Sequence, residues 1–423
     1  MADSANTPVS SSFVLKRAAS AWAPLREPLF RSLWAASLIS YIGTWMQNVG
    51  AGWLMTQLTL SPLMISLVQA AATLPVFLAI LPAGALADLV DRRKFLIITQ
   101  TWMVLASAAL GVITLLHHIT PWMLLVFTFL LGLGAVMNDP AWQAITPEII
   151  SPERHAPAVA LNSVGYNVAR AVGPAVGGFI VAAAGSGIAF LLNAFSFFGV
   201  IFFLRRWKRP RFDTGQNEPM ASALRTGLRY GRSTHLVHCV LIRTGAFSLA
   251  ASSLLALLPV IARPHGATGY GILLASFGLG ALVGGLALPN LRHKLNVDGV
   301  IAGGIVLFAG MIFAAGQLNA FLWLNVALFG AGAGWIGILA SLNVAAQIMS
   351  PPHLRARALS MYLLVLQGGM AVGSVIWGTF ASTLGISETM IISALALLAG
   401  LFMVRNYGLS SIELAFAPPA LPD

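Results

Sequence analysis

Apolar stretches of about 17 to 27 residues recur along the whole chain, each long enough to cross roughly 30 Å of hydrocarbon as a helix. Twelve are expected, at residues 33–55, 64–86, 95–116, 122–144, 158–184, 188–204, 237–261, 270–289, 300–316, 321–346, 358–384 and 389–404. Backbone groups in hydrocarbon find no water to bond, so each stretch must satisfy its own peptide groups as a helix. Composition agrees: 58% of residues are hydrophobic and 9% charged, where a soluble domain carries about 25% charged residues. Soluble enzymes, nucleic-acid binders and disordered proteins are thereby excluded for the chain as a whole.

The net charge of +11, from 24 Lys and Arg against 13 Asp and Glu, is not spread evenly. With the N-terminus inside, the inner segments hold Arg26, Arg31, Arg92, Arg93, Lys94, Arg154, a run from Arg205 to Arg232, Arg292, Lys294, Arg355, Arg357 and Arg405. The outer connections hold only Arg263. The positive-inside rule then predicts both termini in the cytoplasm, and an even number of spans. The expected organisation is a cytoplasmic tail (1–31) without a cleavable signal, a six-helix half (32–204), a basic cytoplasmic linker (205–235), a second six-helix half (236–405) and a cytoplasmic tail (406–423). Within the linker, Leu224 and Leu228 fall on one helical face and Arg225, Arg229 and Arg232 on another. Such a helix would lie on an anionic leaflet; a solvated linker is the alternative. The one cysteine, Cys239, has no partner for an internal disulfide.

Two motifs repeat at nearly the same offset. Gly84-Ala-Leu-Ala-Asp88-Leu-Val-Asp91-Arg92-Arg93 has a degraded copy from Gly285 to Lys294, 201 residues later, and Ala171-Val-Gly173-Pro174 returns as Ala371-Val-Gly373-Ser374 after 200. Matching offsets at separate places indicate two pseudo-symmetric halves. These halves, the basic central linker and the Gly84-xxx-Asp88-xxx-Arg92-Arg93 turn resemble the major facilitator superfamily over almost the whole chain. Gly43-Thr-Trp45-Met-Gln47, Pro140-Ala-Trp142-Gln143 and Gly173-Pro174-Ala-Val-Gly177-Gly178 resemble its enterobactin-exporter-like efflux branch. The resemblance implies an all-α membrane protein of twelve helices and an efflux function. It also implies that the 84–93 turn clips helix ends together during gating, with Asp88 bonding a neighbouring helix and Arg92 pairing with an acid. Leu89 and Asp91 depart from that family pattern, where a basic residue and a glycine are usual. The Gly173–Gly178 motif is similar to an antiporter signature. Close helix packing through its small residues is the alternative reading.

Three charges fall within expected spans: Asp139, Arg170 and Arg243. A charge at mid-bilayer costs about 2.5 to 3.5 kcal/mol on insertion scales, so each is a candidate for proton coupling or substrate binding. Asp139 and Arg170 lie at similar depth on neighbouring spans. A carboxylate whose surroundings alternate between oil and a guanidinium changes its proton affinity, which is a coupling mechanism. The alternatives are a kink device beside Pro140 for Asp139, a substrate counter-ion role for Arg170, and snorkelling to the inner interface for Arg243. Amides in hydrocarbon must face the bundle interior, so Trp45, Gln47, Asn48, Trp53, Asn162, Tyr166, Asn167, Asn193, Asn343 and Gln347 are the expected cavity wall. No Walker motif, H-E-x-x-H or G-x-S-x-G is present. The expectation is therefore a non-enzymatic secondary transporter with no cofactor and no metal, driven by the proton gradient, monomeric, in a bacterial inner membrane. Its partners are a small amphipathic substrate, protons and lipids, without nucleic acid. Facilitated uptake, lysophospholipid flipping, or a non-transporting sensor are the competing readings.

Overall fold

The structure, a computed structural model, describes residues 22–207, 235–348, 350, 355–404 and 407. The expected amphipathic helix around Leu224 and both distal tails lie outside the described residues, as does the side chain of Asp88. Among the described residues every regular element is helical. Helices α1 (Pro28–Leu58), α2 (Pro62–Leu89), α3 (Arg92–Leu115) and α4 (Pro121–Ile149) come first. The stretch His155–Arg206 follows, and non-helical backbone at Gly185 divides it into α5 (155–184) and α6 (186–206). The second set is α7 (His235–Ile261), α8 (Gly266–Arg292), α9 (Val297–Gln317), α10 (Phe321–Ile348), α11 (Arg355–Leu384) and α12 (Ile386–Met403). Among the described residues, ten helical segments are long and apolar enough to cross a membrane. The difference from twelve has two causes: the 152–206 segment counts once, and α1 carries Trp34, Ser37, Ser40, Tyr41, Gln47 and Asn48, which lower its hydropathy.

Local sequence sets the helix starts. Ser61 and Thr120 cap α2 and α4, Asn296 caps α9, and prolines stand in the first turns of α1, α2 and α4, where no backbone donor is lost. The α5–α6 and α11–α12 connections use the same device: Gly185 (φ 82°, ψ 164°) and Gly385 (φ 94°, ψ 170°), 200 residues apart. That conformation is essentially reserved for glycine.

Within each half the helices pack around their own apolar clusters, and two seams join the halves: α2 on α11, and α5 on α8. The seam contacts mark one end of the bundle as closed. At the end opposite the termini, Arg263 donates to the carbonyls of Thr56 (3.2 Å) and Thr59 (2.6 Å) at the close of α1, and Ser382 Oγ accepts from the Leu63 amide (3.2 Å). There Val49 and Trp53 of α1 join the core of the second half, and Val260 of α7 packs on that of the first. At the end bearing the termini, four charged contacts each lie within one half: Arg92 with Glu148, Arg154 with Glu27, Arg243 with Asp298 and Arg292 with Ser341.

The glycine turns generate a test. Gly185→Ala or Gly385→Ala should cost about 1–3 kcal/mol, seen as a lower thermal midpoint of the purified protein. Gly310→Ala, in a helix with open space at its Cβ, should leave the midpoint unchanged.

Candidate functional site

The six residues Gly173–Gly178 place two neighbours at once. On α5, Gly173 and Gly177 form one i, i+4 pair, and a Cβ on them would stand 2.6 Å from Trp45 Cβ and 2.7 Å from Met46 Cα, so this pair seats α1. Pro174 and Gly178 form the adjacent pair and seat α8: a Cβ on Gly178 would stand 2.8 Å from Gly271 Cα. One turn away, Gly278 of α8 meets the backbone of Arg170 and Ala171. The motif thus performs the close packing its small residues suggest, and in doing so it delivers Trp45 and Phe277 to either side of Arg170.

Arg170 is half-buried, its guanidinium carbon 5.9 Å from the Trp45 ring and 6.0 Å from the Phe277 ring. A cation over two aromatic faces is stabilised by about 0.5–1 kcal/mol per face where water is near, and more where it is not. Because Phe277 belongs to α8, the arginine lies on the seam between the halves. Tyr166, one turn before it on α5, packs edge-on against both Tyr41 (5.5 Å) and Trp45 (6.3 Å). These three rings form a partition. Tyr41 and Tyr166 also line a chamber of about 170 Å³ between α1, α3, α4, α5 and α6, with Asp139, Gln100, Asn138 and Trp142 in its wall.

Asp139 is exposed to that chamber and has neither ion pair nor hydrogen bond among the described residues. Among the described residues it does not pair with Arg170; Tyr166 shares the chamber wall with the acid and lies one turn before the base on α5. Nor does it cap backbone amides, since α4 continues as helix through Pro140. Around it, Gln100 donates to Asn138 Oδ1 (3.0 Å), leaving Gln100 Oε1 buried without a partner, and Trp142 Nε1 is likewise buried and unpartnered. A buried orphan donor and a buried orphan acceptor in one chamber wall call for water. At roughly 30 Å³ per molecule, the chamber has room for several.

The remaining expected site residues divide by their bonds. Trp45 and Tyr166 belong to the partition. Gln47 and Asn193 are both buried, and Gln47 Oε1 accepts from Ser107 Oγ (2.7 Å) and Asn193 Nδ2 (2.5 Å), tying α1, α3 and α6 together. Asn167 donates to the Ser163 carbonyl and Gln347 to Asn343 Oδ1, each within its own helix. Asn162 donates to Thr146 (3.3 Å) across α4 and α5. Asn48 is exposed and Trp53 packs on the core of the second half.

Arg243 neither snorkels nor approaches the partition. It is buried against Asp298 in the first turn of α9, an acid that reading spans alone left in a loop. In the 84–93 turn, Asp91 caps α3 by accepting from the Lys94 amide (3.1 Å), Arg92 meets Glu148 at 2.9 Å, and Arg93 donates to the carbonyls of Leu204 and Arg205 at the end of α6. These contacts tie α3 to α4 and to α6. A Cβ on Gly84 would touch nothing. Gln100 and Asn138 were missed although the rule for amides in hydrocarbon selects them; Tyr41 and Phe277 carried no such signal.

The comparisons with known proteins agree with this architecture. The family profile described as transmembrane secretion effector matches residues 19–420. The chain is 24% identical to the enterobactin exporter EntS of Citrobacter koseri, over 94% of this chain and 95% of that one. It is 25% identical to the multidrug efflux pump Tap of Mycolicibacterium fortuitum, over 93% and 99%. Among solved structures, a bacterial homologue of the human lysosomal transporter Spinster, inward-facing and occupied, superposes with a TM-score of 0.73 at 14% identity, covering 92% of this chain and 98% of that one.

The Gln47 bonds make their own prediction. Gln47→Leu strands two buried donors and should destabilise the protein by about 1–3 kcal/mol. Transport per folded molecule should persist; a folded variant that has lost substrate affinity would return Gln47 to the cavity wall.

Proposed function

The chain belongs to the transmembrane secretion effector family of multi-pass membrane transporters, and from that premise we propose that it exports a small amphipathic molecule, siderophore-like or drug-like, in exchange for protons. The observation that carries the coupling is Asp139: among the described residues, a carboxylate without an ion pair in a small chamber inside one half, beside Tyr41 and Tyr166 and not paired with the arginine on the seam. Waters bonded to Trp142 and Gln100 would carry protons to and from it. Substrate would occupy the seam beside Arg170, where aromatic faces and one cation suit an apolar body with an anionic or π-rich group. Rocking of the halves would move the rings of the partition and change what Asp139 is exposed to. The names of the relatives, an enterobactin exporter and a multidrug efflux pump, support export and this size of cargo.

The excess of basic residues at the end bearing the termini supports a cytoplasmic placement of both termini in an inner membrane. On that assignment the contacts described here are those of a state closed to the outside. The proposed unit is a monomer, with lipid and protons as its other partners. No cofactor enters the scheme; the proton gradient is its energy source.

The test uses proteoliposomes. Asp139→Asn should retain substrate exchange but lose its dependence on pH and on an imposed proton gradient; a pH profile unchanged from wild type removes the coupling role. Ligand-induced shape change without any flux would indicate a sensor. Arg263→Gln, which loses the guanidinium bridging two carbonyls of α1, should shift the population toward a state open at that end. Greater labelling of a cysteine placed at Leu63 by an impermeant thiol reagent would report it.

A further inference from the structure

The first half's polar chamber has a counterpart in the second half. A cavity of about 480 Å³ is lined by α7, α9, α10 and α12, the repeat partners of α1, α3, α4 and α6. Position by position the two cavities match: Gln100 with Ile301, Asn138 with Ile338, Trp142 with Leu342, Phe197 with Leu397 and Val200 with Gly400, each pair 200 or 201 residues apart. The three positions that carry polar groups in the first cavity, Gln100, Asn138 and Trp142, are aliphatic in the second. Arg243 stands in the wall, 7% exposed, its Nη1 on Asp298 and its Nε buried with no hydrogen-bond partner.

The cavity's size falls in the range of ligand sites, about 300–1,000 Å³. Its rim includes Leu398 and Phe402, which are 40% and 63% exposed on the lateral surface of α12. Access is thus from the bilayer side, near the end bearing the termini. Asp298 leaves part of the guanidinium uncommitted, because it also lies in the first turn of α9, where the helix N-terminus favours a negative charge. The side-on edge of an arginine is a natural acceptor of a carboxylate or phosphate.

We propose that this second cavity binds an amphiphile with an oxyanion head, the head on Arg243 and the apolar body along Ile301, Ile305, Ile338, Leu397 and Leu401. It is separate from the seam beside Arg170 and independent of the proton-coupling role of Asp139. A bilayer phospholipid and a free single-chain amphiphile share this chemistry, and the experiment distinguishes them.

Wild type, Arg243→Gln and Gly400→Phe are placed in phosphatidylcholine nanodiscs, and ligand retention is read by native mass spectrometry. A Cβ on Gly400 meets only Ala246, at 3.9 Å, so the phenylalanine fills the cavity and leaves the ion pair intact. Hexadecyl phosphate should bind wild type about tenfold more tightly than either variant, and about tenfold more tightly than hexadecanol binds wild type. Displacement by phosphatidylglycerol identifies a bilayer lipid as the source; failure to displace identifies a free amphiphile. Equal binding of hexadecyl phosphate by wild type and Gly400→Phe overturns the site, and equal binding of hexadecanol and hexadecyl phosphate by wild type overturns the oxyanion assignment. Should Arg243→Gln fail to fold, Gly400→Phe and hexadecanol decide the matter alone.

Discussion

In hydrocarbon there is no hydrophobic gain from bringing two helices together, so association rests on close contact and on polar groups with nowhere else to go. Both conditions converge on α5. Its paired small residues admit α1 on one side and α8 on the other, at distances a single methyl group would violate. The surroundings of Arg170 follow from those two contacts. Trp45 arrives beside Arg170 because Gly173 lets α1 in, and Phe277 because Gly278 lets α8 meet the backbone of α5.

The polar groups then distribute themselves by whether they can be satisfied. Gln47, Ser107 and Asn193 complete one another and weld three helices of the first half. Asp139, Trp142 and Gln100 Oε1 do not, and they share a chamber. Satisfied polar groups hold a bundle; unsatisfied ones mark where water must enter. Of the contacts described above, Arg92–Glu148, Arg154–Glu27 and Arg243–Asp298 hold each half internally at the end bearing the termini, and Arg263 and Ser382 bridge the halves at the other.

The fold was legible because membrane helices announce themselves by length, and because the 200-residue repeat and the distribution of arginines each constrain the same topology. Asp139, Arg170 and Tyr166 were legible as intramembrane polar residues. Their arrangement was not: nothing in the spacing says that Tyr166 lines a chamber with Asp139 while Arg170 lies against Trp45 and Phe277, because that depends on how α1 and α8 seat on α5. The mutual bonding of Gln47 and Asn193 was illegible for a related reason. Sequence identifies an amide that needs a partner but not whether another amide, 146 residues away, supplies it. Asp298 was overlooked because the boundary between loop and first helical turn decides whether an acid caps a helix or meets a buried arginine.

The single-glycine turns at Gly185 and Gly385 have a mechanical implication. Each joins a seam helix, α5 or α11, to a helix that walls a chamber, α6 or α12, with no slack residue between them. A displacement at the seam is therefore passed to the chamber wall as in a pair of tongs, whose short pivot converts motion of one arm into motion of the other. Opening the path for cargo and reshaping the two lateral compartments then become one stroke, performed in duplicate by the two ends of an ancestral repeat.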